Sequence, residues 1–255
     1  MIRRPAISVS TSNADDIAYR ALHDVAKATE DIDDARIVGG QMVGLLRTAF
    51  PTVTAIIRRT ADADTAVSTQ VAASGALHAA FTGAGYESTN GNHYEREDGR
   101  AIDVLVPSDD RFRQVELGGR GFDAVPGLRL ILSADPIVLD VDVTLTEDTR
   151  LQFTAKVPTV EHALILKALT IRSRHAPKDL VDINNLLQIA HLHEEDEIGR
   201  WRLNEPDLSG SRGDAQLELH ELADTAHRSS TLNESGVQPE VLVALIRAKV
   251  GQPRS

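Results

Sequence analysis

Apolar positions follow two different periods along this chain: strand and helix periods alternate before Pro158, and the helix period alone follows it. At residues 13–31, Ile17, Ala18, Ala21, Leu22, Val25 and Ala26 recur at helical spacing, and Asn13 is placed to cap the helix they predict. Ala35-Arg36-Ile37-Val38 predicts a short strand. It leads into Gly39-Gly40, after which Met42, Val43, Leu45 and Leu46 predict a helix to about Phe50, closed by Pro51. Ile56-Ile57 opens a second predicted strand, which continues through Asp62 and Asp64. Residues 71–84 predict a helix of small residues ended by Gly83 and Gly85. Residues 86–98 are turn-rich, with Asn90-Gly91-Asn92 as the expected hairpin tip. Residues 101–106 read as a buried strand ended by Pro107, interrupted by one charge at Asp103. Residues 109–157 predict further strands with glycine-rich turns. Within them the odd-numbered positions of 137–143 are all apolar, which predicts a half-buried strand with Asp140 and Asp142 on its wet face.

After Pro158 the pattern turns helical. Residues 161–173 predict a helix whose middle, Ala163-Leu164-Ile165-Leu166-Lys167-Ala168-Leu169, is apolar on every side but one. A helix apolar all round is a buried helix. Lys167 is then a lone cation in apolar surroundings and needs an anionic partner. A second helix starts at Lys178, with Leu180, Ile183, Leu187 and Ala190 as its packing face and Asp179 and Asp182 on adjacent turns. His191-Leu192-His193-Glu194 has the look of a metal motif. It falls at a helix end inside an acidic run, which favours a solvated terminus. From Ile198 the chain predicts three short helices, divided by a loop at 209–213, the last of them over 239–250. The pattern therefore predicts an α+β protein: a mixed-sheet domain over 1–157 and a helical domain over 158–255.

Composition narrows the chemistry. The chain has 255 residues, 42% of them hydrophobic but only 4% aromatic, so the core must be mostly Val, Leu, Ile and Ala. The absence of cysteine excludes disulfides, thiolate zinc sites and a cysteine nucleophile, and is compatible with the reducing cytoplasm, where we expect the protein. No apolar run reaches the length of a membrane span, and Met1-Ile2-Arg3-Arg4-Pro5 lacks the apolar core of a signal peptide. The net charge of -11 disfavours general nucleic-acid binding. A nucleic-acid partner would need a local basic rim, for which Arg47, Arg58, Arg59, Arg172, Arg174 and Lys178 are candidates.

Asp62 and Asp64 carry the strongest chemical signal. On an extended strand they project to the same side, where two carboxylates repel each other. A hard divalent cation between them removes the repulsion. A strand that ends in glycines and opens a helix, as at Gly39-Gly40, is suited to receive phosphate.

The order of these features resembles the DNA-polymerase-β-like nucleotidyltransferase superfamily: Gly-Gly, then Asp-x-Asp, then a third acidic residue, here Gly39, Gly40, Asp62, Asp64 and Asp103. More narrowly, Arg58-x-Thr60-x-Asp62-x-Asp64 and the later Lys167…Arg174…Lys178-Asp179-Leu180-Val181-Asp182 resemble the AbiEii/AbiGii toxin family and its MenT branch, whose members add nucleotides to transfer RNA. The resemblance implies a polymerase-β-like domain followed by a helical domain that completes the active-site cleft. It also implies Mg2+-dependent transfer of a nucleoside monophosphate from a nucleoside triphosphate to an RNA acceptor, tRNA, by the toxin of a type IV-like toxin–antitoxin pair with a cognate antitoxin. Asp62, Asp64 and Asp103 would hold the metal. Gly39, Gly40, Arg58, Thr60 and Lys167 would bind the triphosphate. Asp182 would act with Asp62, Asp64 and Lys167 in catalysis, with Asp179 as its rival. Ala63, Thr65 and Gln41-Met42 depart from the family pattern beside these positions. Transfer to a protein or to a small molecule such as an antibiotic, and a non-catalytic nucleotide-binding relative, remain alternative readings.

Overall fold

The computed structural model describes residues 1–253 except Arg59, Asn90, Ser173 and His175. Arg59 of the basic set, Asn90 of the hairpin tip and Ser173 at the expected helix end therefore lie outside the described residues. The chain forms two compact units, residues 1–49 with 59–158, and residues 50–58 with 159–255.

In the first unit, β1 (Ile2–Val9) precedes α1 (Asn13–Ala28), β2 (Ala35–Ile37), α2 (Gly39–Ala49) and β3 (Asp62–Val67). Two short helices follow, α3 (Thr69–Ser74) and α4 (Ala76–Gly83), then β4 (Glu87–Ser88), β5 (His93–Glu95) and β6 (Ala101–Ser108). The unit closes with β7 (Arg113–Leu117), β8 (Arg120–Pro126), α5 (Leu128–Leu132), β9 (Ile137–Thr144) and β10 (Arg150–Val157). A three-stranded sheet has the order β1-β9-β10. A mixed seven-stranded sheet has the order β2-β3-β6-β5-β4, with β8 also on β6 and β7 on β8.

The helix α1 starts one residue earlier in function than its sequence suggests. Ser12, not Asn13, is the cap, its hydroxyl accepting the Asp15 N–H at 3.2 Å. The single helix expected over 71–84 is two, because Gly75 takes the left-handed conformation (φ 75°) between them. The strand expected to end at Pro107 runs on to Ser108. Its first half pairs with β5 and its second half with β8, so β6 changes neighbours instead of stopping. In β9 the odd residues are buried, while Asp140 meets Arg3 and Asp142 meets Arg150 on the outer face. This second Asp-x-Asp is paired with arginine.

The second unit holds α6 (Val160–Ile171), α7 (Pro177–Leu192), α8 (Glu195–Ile198), α9 (Gly210–Thr225), α10 (Ser230–Ser235) and α11 (Pro239–Lys249). All residues of α6 but Thr170 are buried, as expected of a helix apolar on every side but one. The loop expected at 209–213 is the opening turn of α9, with Ser209 just before it.

Ile56-Ile57 was expected to open the Asp62 strand, but β3 begins at Asp62, and Ile56-Ile57 falls in the segment 50–58. Residues 50–58 belong to the helical unit and lie along α7. Alternate residues of the segment meet successive turns of the helix. Thr54 donates to Gln188, Ile56 exchanges two backbone bonds with the Asn185 amide (3.0 and 2.8 Å), and Arg58 forms a two-pronged bond with Asp182. Period two on the segment thus matches period three on the helix face. The Ile56 N–H and carbonyl are bonded by a side chain and not by a strand, and β3 begins only at Asp62. His193 Nε2 meets the Pro51 carbonyl at 3.3 Å, which gives the His-x-His stretch a packing role.

Candidate functional site

Strand register brings the carboxylates together. β3 and β6 run parallel, with Asp64 opposite Asp103 and Asp62 opposite Ala101. Residues opposite each other on adjacent strands share a face. Asp62, Asp64 and Asp103 consequently form one cluster. One oxygen from each lies within 4.8 Å of the others, and all three residues are half-buried. Three carboxylates at this spacing, with no soft donor among them, match the ligand preference of a hard divalent cation.

The glycine turn abuts this cluster. β2 runs antiparallel to β3, with Ile37 opposite Thr65 and the Val38 N–H bonded to the Asp64 carbonyl at 2.9 Å. The next residue, Gly39, has φ 65° and opens α2. A Cβ on Gly39 would lie 1.7 Å from Asp64 Oδ2. The space a side chain would need at 39 is taken by the carboxylate, which sits at the positive end of an eleven-residue helix. Thr60 steadies the other end of the motif, its hydroxyl donating to Asp62 Oδ1 at 2.7 Å.

Antiparallel β5 extends the row of paired residues. His93 lies opposite Asp103, and Glu95 opposite Ala101. His93 Nδ1 is 2.7 Å from Asp103 Oδ1, and its Nε2 is 3.1 Å from Glu95 Oε1. Carboxylates only accept, so both bonds together require the doubly protonated ring. Burial lowers the His93 pKa, but the bonds to Asp103 and Glu95 and their charges outweigh it, and the imidazole titrates above its ordinary range. Sequence reasoning did not single out His93 or Glu95. Only strand pairing, which does not show in a one-dimensional pattern, could have found them.

The remaining candidates lie in the helical unit. The Lys167 ammonium is buried and lies 2.7 Å from Asp182 and 3.4 Å from Asp179. Arg58 holds Asp182 through Nε and Nη2 at 2.5 and 2.6 Å. Arg174 reaches Asp179 at 3.1 Å. Both aspartates are fully buried. Asp179 and Asp182 thus share Lys167, and the cluster has three cations to two carboxylates among the described residues.

No protein-family model matches the sequence, and no curated protein matches it. No helix among the described residues is long and apolar enough to cross a membrane.

Proposed function

We propose that the protein is a Mg2+-dependent nucleotidyltransferase that moves a nucleoside monophosphate from a nucleoside triphosphate to an RNA hydroxyl, with tRNA as the acceptor. The observation that carries this reading is the convergence of Asp62, Asp64 and Asp103 on one face of two parallel strands, beside a glycine that opens a helix. Such a site suits in-line phosphoryl chemistry, in which position and charge do most of the work.

The three carboxylates fit Mg2+, whose part would be to neutralise phosphate charge and favour the ionised acceptor hydroxyl. Asp62 and Asp64 would hold the triphosphate through it, and Asp103 would orient the attacking oxygen. The α2 N-terminus at Gly39-Gly40 would offer backbone N–H groups to phosphate oxygens. The Thr60 hydroxyl, which donates to Asp62 Oδ1, would help to orient that carboxylate. To Lys167 and Arg58 the resemblance assigns the offset of triphosphate charge, with Asp182 holding both cations in place. The toxin role and a cognate antitoxin, together with a cytoplasmic setting, follow from the same resemblance.

The test is incubation of the full chain with Mg2+, each radiolabelled nucleoside triphosphate in turn, and deproteinised cellular RNA. Label in tRNA that disappears in Asp62→Ala and Asp64→Ala supports the proposal. Label in protein alone would replace the RNA acceptor, and no incorporation with any nucleotide or acceptor would favour a binding module.

A further inference from the structure

His93 stands outside every role assigned so far, yet it makes a close contact to the metal-ligand set. Asp64, Asp103 and His93 lie side by side across β3, β6 and β5, one residue from each strand. In the next row Asp62 and Glu95 flank Ala101. The Asp103 side chain meets the His93 ring on the adjacent strand at 2.7 Å. Without a partner, its carboxylate would turn away from two like charges.

We infer that His93 is a positioning residue for the carboxylate site. Its Nδ1–H holds Asp103 Oδ1 and so fixes the plane of the carboxylate toward Asp62 and Asp64, while Glu95 holds the ring from Nε2. The inference rests on the reading of the triad as a divalent-cation site. Partners behind a ligand tune it in this way in many metal sites: they remove rotational freedom that the ligand would otherwise lose on binding.

The experiment uses Mn2+ alone as the probe. Free Mn2+ is followed by electron paramagnetic resonance as it is titrated into the full chain. The variants are His93→Ala, His93→Asn and Asp103→Asn, each checked by circular dichroism for a parental fold. We expect His93→Ala to bind about tenfold more weakly. His93→Asn keeps an N–H donor near the Nδ1 position and should stay within about threefold of the parent, a rescue that bulk or packing alone would not produce. Parental affinity in folded His93→Ala, beside weakened binding in Asp103→Asn, would overturn the His93 assignment and leave the cation site standing. Parental affinity in Asp103→Asn would overturn the cation site itself and the His93 assignment with it. An equal loss in His93→Ala and His93→Asn would reject the hydrogen bond as the cause.

Discussion

Asp64 occupies the volume that a side chain on Gly39 would need, its Oδ2 only 1.7 Å from where a Cβ would stand. Gly39 also has φ 65°, which non-glycine residues adopt at a cost. We expect Gly39→Ala to lose about 1–3 kcal/mol of stability and to displace the Asp64 carboxylate. Gly44, inside α2 with nothing within 4 Å of its would-be Cβ, is the matched control, and Gly44→Ala should stabilise by about 0.5–1 kcal/mol. Urea unfolding of both variants, with nucleotide incorporation measured in parallel, checks the pair. Equal losses from the two would show that the close approach to Asp64 is unimportant.

The acidic triad should behave oppositely with and without a divalent cation. Asp64→Asn removes like-charge repulsion, so without added metal its melting temperature should equal or exceed the parent's. Added Mg2+ should raise the parent's melting temperature and leave that of Asp64→Asn unchanged. Differential scanning calorimetry in EDTA and in Mg2+ decides the matter.

The second Asp-x-Asp serves as an internal control. Asp140 and Asp142 are held by Arg3 and Arg150 on the exposed face of β9. The double variant Asp140→Asn, Asp142→Asn should bind Mn2+ and incorporate nucleotide like the parent. A loss in either assay would move the chemistry to the wrong strand pair.

Lys167 neutralises two fully buried carboxylates. Lys167→Ala leaves each of them one arginine, Arg58 on Asp182 and Arg174 on Asp179, and should destabilise by about 3 kcal/mol. Arg58→Ala leaves Asp182 still bonded to Lys167 and should destabilise less. Chemical denaturation of the two variants gives the order, and the reverse order would mean that Arg58 is the main counter-charge.

Asp16 sets an acid limit on the first unit. Burial alone would raise its pKa. Hydrogen bonds from Ser10 and from the Thr146 hydroxyl and backbone N–H, with the charge of Arg20, outweigh burial and hold it below the ordinary carboxylate range. A lowered folded-state pKa contributes stability that is present above the unfolded-state value and is lost as pH falls through the folded-state value. Asp16→Asn should therefore lower stability at neutral pH and flatten its decline under acid. Urea melts from pH 7 to pH 3 test this, and parallel curves for parent and variant would reject it.

Much of the architecture is visible in the sequence where one element alone decides it. The mostly apolar surface of α6 and the alternation of β9 are properties of a single segment, and both elements form as the pattern predicts. Asp103 stands out for the same reason, as a lone charge in an apolar strand. What the pattern misses depends on distant partners. Ile56 looks like a strand residue, but its backbone bonds to Asn185, far along the chain. Pro107 looks like a terminator, yet β6 continues because β8 replaces β5 beside it. His93 looks like an ordinary turn residue until pairing sets it against Asp103.

Residues 50–58 have a practical bearing on how the chain can be divided. They thread out of the first unit, run along α7 and return, so the helical unit is not a continuous piece of sequence. A fragment cut at residue 158 would leave behind the peptide that bonds the polar side chains of its own long helix. Asn185 and Gln188 would then lose these partners and Asp182 its arginine, and the truncated half would be prone to clump unless that peptide were supplied in trans or grafted onto its start.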